Sequence, residues 1–249
     1  NKNNGVMKDS YRDVMNVGFH VDYRLKNLQV VNYIEYNYTK AQESPYGDFS
    51  DYAHLQPYDR PYDKNGTLIS GELEFSKRTH TDYRVNNPLY EARLNNFEYE
   101  KGDVFIDRLM AQWFLTDYLH LKGQIAITKE FTKKERFIDP LSSNTTAKIQ
   151  KEKELEGDLY LTKGESTNWD AQVGVYVSKS FGAHALNASA VVNATSRESE
   201  STSSHYRGFP SGEYHSPNYA AEIKDKPSKS QSTSRLAGFL FLANYTWND

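Results

Sequence analysis

Residues 168–194, NWDAQVGVYVSKSFGAHALNASAVVNA, restrict the possible folds more than any other stretch. Trp169, Ala171, Val173, Val175 and Val177 alternate with Asp170, Gln172, Gly174, Tyr176 and Ser178. After Ser180–Ala183 the phase shifts, and Leu186, Ala188, Ala190, Val192 and Ala194 become the apolar set. Successive strand side chains point to opposite faces, so this pattern predicts a hairpin with one apolar and one polar face. Each arm carries about ten such residues, the length a tilted strand needs to cross a bilayer. A half-buried hairpin of a soluble protein has the same pattern, so the rest of the chain must decide.

Similar pairs occur elsewhere. Val17, Phe19, Val21 and Tyr23 alternate with polar neighbours, turn at Lys26-Asn27, and return through Leu28, Val30, Ile34, Tyr36 and Tyr38, with Asn32 interrupting that side. Leu109, Ala111, Trp113 and Leu115 are followed across Asp117-Tyr118 by Leu119, Leu121, Ile125 and Ile127. Ala237, Phe239, Phe241, Ala243, Tyr245 and Trp247 form one face of a last strand. The expected strands lie near 14–24, 28–39, 104–116, 119–130, 169–178, 184–195 and 235–247. Long polar segments fill 40–102, 131–168 and 196–234.

Connection length separates the two settings. Three short turns fall at one end and three long segments at the other, as in outer-membrane barrels with short periplasmic turns and long extracellular loops. Soluble β-sandwiches have short connections, and long structureless loops are uncommon in compact domains. Leu155–Leu161 also looks strand-like, but it is too short to span. It is therefore expected in the extracellular excursion, as a hairpin turning at Lys163-Gly164. Seven spans are odd, whereas complete single-chain bacterial barrels have an even number, so the chain is expected to be part of a larger barrel. Its polar start at Asn1 suggests the interior of a longer protein.

Composition agrees with this reading. The mean hydropathy of -0.80 and the lack of any long apolar run exclude a helical membrane protein. A barrel tolerates such polarity because only alternate residues meet lipid. The 19 Tyr, 12 Phe and 3 Trp suit strands and interfacial girdles. A net charge of -3 gives no footprint for nucleic acid. Without cysteine there are neither disulfides nor thiolate metal sites.

The C-terminal block GFPSGEYHSPNYAAEIKDKPSKSQSTSRLAGFLFLANYTWND orders a Gly-Phe-Pro loop, an Arg-x-x-Gly-Phe and an aromatic strand ending Asn-Tyr-x-x-x-Asp. With RPYDKNGTLIS, NNPLYEARL, WFLTDYLHLKGQIAITKE and SKSFGAHALNASA, this order resembles the SusC/RagA-type TonB-dependent transporters of the bacterial outer membrane. The resemblance runs from about Val14 onward, densely at the turns and loosely in the loops. It implies an all-β antiparallel transmembrane barrel portion, about seven strands of a plugged 22-stranded barrel. It further implies import of an oligosaccharide or oligopeptide beneath a SusD-like surface lipoprotein. Energy would come from TonB–ExbB–ExbD through an N-terminal TonB box. The plug and TonB box are expected outside this sequence.

Motifs for catalysis are lacking: no GxSxG, HExxH or GxxxxGKS occurs, and the seven His lack metal-ligand spacing. Neither enzymatic activity nor a cofactor is expected. DRPYDKNGT places Pro61 where a calcium loop needs a carboxylate, and is better read as a turn at Asn65-Gly66. The candidate ligand or lid contacts are Tyr46, Phe49, Tyr52, Tyr58, Asp59, Arg60 and Tyr62, with Asp48 and Asp51 nearby. Tyrosine rings stack on sugars, while carboxylates and guanidinium bind hydroxyls or peptide groups. The same rings could equally pack the loop on itself or on the lid. A soluble, glycan-binding adhesin-like module is the alternative to the transporter, and a hydrolase on a β scaffold would need a converging carboxylate pair.

A charge scan tests the face assignment. Val175→Arg is expected to impair barrel assembly by about 2–4 kcal/mol near the bilayer midplane, while Gln172→Arg is mild. Heat-modifiable mobility of the membrane fraction reads both variants, and equal tolerance would overturn the assignment.

Overall fold

The computed structural model describes residues 2–46, 49–53, 55, 58–71, 73, 86–145 and 152–247. They form one antiparallel sheet of β1 (Lys2–Asn4), β2 (Tyr11–Leu25), β3 (Leu28–Gln42), β4 (Phe97–Phe114), β5 (Leu119–Ile138), β6 (Asp158–Phe181), β7 (His184–Arg207), β8 (Glu222–Ile223) and β9 (Ser228–Trp247). Strands pair in chain order. β8 and β9 both pair with β7, β8 at its loop end and β9 along the rest. Among the described residues of the first long connection are two short helices, α1 (Phe49–Ala53) and α2 (Pro88–Glu91). No helix among the described residues is long and apolar enough to cross a membrane.

The register is one-to-one along each long pair, so side-chain parity carries unbroken from β2 to β9. One cross-strand row reads Leu25, Leu28, Trp113, Leu121, Val175, Ala190 and Phe241. The next reads Tyr23, Val30, Ala111, Gly123, Val173, Val192 and Phe239. Directly opposed residues share a face, so the apolar sets of the separate strands form one continuous surface. The opposite face carries Asp22, Val31, Met110, Gln124, Gln172 and Asn193 in a single row, polar at four of the six positions. Asn32 and Asp107 interrupt the apolar face and bond to each other, Nδ2 of Asn32 donating to Oδ1 of Asp107 at 2.7 Å.

That apolar face is uncovered. Val173 is 63% exposed, Val192 55% and Phe239 71%. The described residues contain no second sheet to cover it.

Tight turns close the three hairpins at the opposite end from the long connections. Gly182, with φ 61, is followed by Ala183 without positive φ, the pattern of a type II′ turn, which matches strand twist. Lys26 (φ 44) opens the β2–β3 turn, and four residues join β4 to β5.

At the long-connection end, the strands run further than their alternation suggests. β6 starts at Asp158 and pairs through to Phe181, so Leu155–Leu161 forms no separate hairpin, and Lys163-Gly164 lies mid-strand opposite Thr202 and Ser201. β7 continues to Arg207, and β9 begins at Ser228. The excursions shrink to 43–96, 139–157 and 208–227. Ser199–Ser203 pairs with Ser228–Ser232, a ladder polar on both faces. Without an apolar side no alternation can appear in the sequence, although the backbone ladder is complete.

The packed core lies at this end. Phe137 (1% exposed), Leu159 and Phe209 form it, with Phe97, Leu161, Tyr206 and Ala220 against them. Phe97 and Phe137 stack at 5.6 Å, and Phe209 meets Phe137 edge-on at 5.3 Å. By parity this cluster lies on the face that is apolar lower down, so the third excursion folds over that face. Its Gly208-Phe209-Pro210 start is positioned by Gly208 (φ 77), where a Cβ would sit 2.6 Å from that of Ala221. Phe209→Ala removes a buried ring from a small core, at a cost of about 3 kcal/mol. Faster protease cleavage within 208–227, with the long strands still protected, is the expected result.

Candidate functional site

Among the described residues, buried polar side chains join the excursions to one another. Asn87, fully buried, caps α2, its Oδ1 accepting from Leu89 N at 3.2 Å. Its Nδ2 donates to the carbonyls of Pro61 and Ile69, each at 2.9 Å, and its backbone N–H to Gly71 O. Asn at the cap followed by Pro at the first helical position is a standard helix start. Here the same amide also clamps the 61–69 turn. In that turn Asp63 Oδ1 accepts from Asn65 N and Thr67 N, both at 2.8 Å, and Gly66 takes φ 79. The expected Asn65-Gly66 turn is therefore present.

Glu91 links the first excursion to the second. Its carboxylate accepts from Ser142 Oγ at 2.5 Å and Ser143 N at 2.9 Å. Asp139, 3% exposed, accepts from Asn95 N and Leu141 N. Gly212 of the third excursion lies so close that any Cβ there would overlap the Asp139 carboxylate. Arg207, at the end of β7, binds Glu152 at 2.7 Å and also Glu222. Burial, with the nearby Glu91 and Asp139 carboxylates, pushes the Tyr90 hydroxyl above its usual range.

The aromatic contacts expected from sequence have different surroundings. Phe49 and Tyr52 sit three residues apart on α1, hence on one side of it, with Phe49 exposed and Tyr52 half-buried. Tyr58 and Arg60 are exposed, and Asp59 is half-buried. Tyr62 bridges to Leu68 on the clamped turn and leaves its ring 44% exposed. Tyr46 turns away to the β1–β2 connection, where Lys8 Nζ lies 5.4 Å from its ring and is held above the usual lysine range by it. Asp48 lies outside the described residues, and Asp51 lies on α1.

A tighter constellation lies on the polar face, at the excursion end of β4–β7, where no sequence motif marked it. Glu98, Arg136, Tyr160 and His205 stand in one cross-strand row. Glu98 receives Lys134 at 2.6 Å and Arg136 at 3.4 Å. The His205 ring lies flat on Tyr160, with centroids 4.1 Å apart. Its Nε2 is 2.7 Å from Oδ1 of the fully buried Asp158, which fixes the ring orientation. Arg136 also approaches the Tyr160 ring, at 6.0 Å. Arg136 and Lys134 remain half-exposed around Glu98, beside the stacked Tyr160–His205 pair, whose imidazole the buried Asp158 holds. The residues are individually ordinary; only the register between four strands brings them together. Among the described residues, no group of three or more His, Cys, Asp or Glu could hold a metal.

An antiparallel sheet with short turns at one end and interlocked excursions at the other is a fold found in outer-membrane transporters. Comparison with solved structures agrees. The chain superposes on a structure of the RagAB peptide transporter with a TM-score of 0.75 at 14% identity, covering 96% of this chain and 26% of that one. The RagAB peptide importer in its open-open state gives 0.74 at the same identity and coverage. BauA, the ferric preacinetobactin receptor from Acinetobacter baumannii, gives 0.52 at 11% identity, over 99% of this chain and 33% of that one. At these identities the likeness is one of fold. The chain spans about a quarter of the RagAB transporter chain it matches. No family model matches it, and no curated protein does.

Asn87→Ala would leave the Pro61 and Ile69 carbonyls without their donor and uncap α2, costing about 2 kcal/mol locally. Hydrogen exchange across 61–71 and 87–92 should accelerate, with that of β4–β7 unchanged.

Proposed function

We propose that this chain forms part of the barrel wall of a TonB-dependent importer in the bacterial outer membrane. The exposed apolar face shared by seven long strands, opposite a polar face, carries the reading. Such a face is stable against lipid, where alternate residues of each strand meet hydrocarbon and the others line an aqueous interior. In water it would be an extensive exposed hydrophobic surface of the kind soluble monomers avoid. Among the described residues the outer edges of β2 and β9 lack full-length partners, and a bilayer requires those backbone groups to be paired. Further strands of a SusC/RagA-type barrel would supply that pairing.

In this reading the excursions face outward, beneath a SusD-like surface lipoprotein. The plug and TonB box of the same transporter would couple it to TonB–ExbB–ExbD. The cargo is an oligopeptide or oligosaccharide. It passes the mouth cluster on the polar face, where Lys134 and Arg136 would exchange Glu98 for carboxylates or hydroxyls of the cargo and the stacked Tyr160–His205 pair would flank it. The exposed rings of Phe49, Tyr58 and Tyr62, with Arg60 and Asp59, form an outer contact for ligand or lid. Tyr46 and Tyr52 support that loop.

Purification of the protein only with detergent, and its co-purification with a surface lipoprotein, are expected; recovery as a dispersed monomer without detergent would favour the adhesin-like module instead. Arg136→Ala with Tyr160→Ala should weaken binding of a mixed oligopeptide pool or of an oligosaccharide ladder by about tenfold or more. Whichever class responds identifies the cargo, and no loss in either would remove the mouth cluster from the path.

A further inference from the structure

Above the apolar band, the outward face carries a feature that neither transport nor loop packing uses. Lys40, Lys101, Lys133 and Lys163 stand directly opposite one another on four consecutive strands, β3 to β6. Parity puts all four on the same face as Ile34, Phe105, Ile127 and Trp169. Like charges directly opposed destabilise a sheet, and these strands are interior to the sheet, so edge protection does not account for them. Nearby carboxylates neutralise the row only in part. Asp13 faces Lys40 across β2–β3, Glu135 binds Lys133 at 2.8 Å, and Glu165 is taken by Lys129 at 2.9 Å. Lys40 and Lys101 lie over the rings of Tyr11 and Tyr99, at 5.6 and 5.5 Å, contacts that position an ammonium without cancelling its charge.

Height decides what this row would meet. Lys40, Lys101 and Lys133 are twelve to fourteen residues from the turn ends of their strands. At about 3.3 Å per residue and a tilt near 40°, that is about 30–35 Å above the turns. An apolar band is about 25 Å tall, so these three ammoniums stand at the outer headgroup level, with Lys163 higher. Adjacent strands are about 4.8 Å apart, a spacing at which two ammoniums can flank one phosphate.

Resting on the membrane reading above, we propose that Lys40, Lys101, Lys133 and Lys163 bind the phosphate groups of an anionic glycolipid in the outer leaflet. The row is a lipid-docking site on the outside of the barrel, separate from the cargo path. Anionic headgroups are attracted by basic clusters of about four or more residues at a membrane surface.

The test uses the whole protein, delipidated in detergent and returned to phosphatidylcholine vesicles doped with a bisphosphorylated glycolipid or its dephosphorylated counterpart. Native mass spectrometry then counts retained lipid. At least tenfold preference for the phosphorylated lipid is expected, along with its loss in the Lys101→Gln, Lys133→Gln, Lys163→Gln triple variant. Lys122→Gln on the polar face should retain the preference. Inorganic phosphate at millimolar concentration should not displace the lipid. Equal retention of the two lipids, an unaffected triple variant, or displacement by free phosphate would overturn the site. Should the triple variant fail to assemble, the wild-type lipid preference and the phosphate competition still decide. Recovery in vesicles without lipid discrimination defeats only this site, whereas failure to enter vesicles defeats the membrane reading itself.

Discussion

Backbone hydrogen bonding without interruption is the constraint from which the rest follows. Hydrocarbon offers no partner to an exposed N–H or C=O, so a strand that enters it must be paired along its full length. From β2 to β9 the one-to-one register meets this demand across every shared pair. A single bulge would exchange the faces of everything beyond it. With none in the long pairs, Phe19 near one end of the sheet and Phe241 near the other point the same way.

Beyond the apolar band the physics changes. Ser- and Thr-rich strand extensions are wet on both sides, and stability there comes from the ladder and from cross-strand ion pairs that are individually weak at exposed sites. Order is concentrated in a few dry places. One is the Phe137–Leu159–Phe209 cluster; the others are buried polar side chains that each satisfy several backbone groups, above all Asn87, Glu91 and Asp139. Buried polar networks of this type specify geometry because an unmatched partner is costly. They hold the excursions in defined positions at that end of the sheet.

Strand positions within the band were legible from sequence because a sheet with one apolar and one polar face imposes period two. The same logic explains the misreading at Leu155–Leu161. There the alternating stretch leads into the buried start of β6, and the polar run after it masked a continuous strand. In the aromatic loop, composition supplies the residue types, while tertiary contacts set Tyr46 beside Lys8 and Tyr62 on the Asn87-clamped turn. The Arg136–Tyr160–His205 row was illegible because its members are 24 and 45 residues apart and carry no motif.

By itself, then, the sequence determined an all-β antiparallel sheet, the identity of the apolar face in each strand, the short turns and the side of the long connections. Those are local properties, set by alternation and by Gly and Asn in turns. Tertiary structure decided how far each strand runs beyond the band, which excursion covers the upper core, and which charged and aromatic side chains stand together at the mouth and in the lysine row. These depend on inter-strand register, a relation between distant segments that no window of sequence contains.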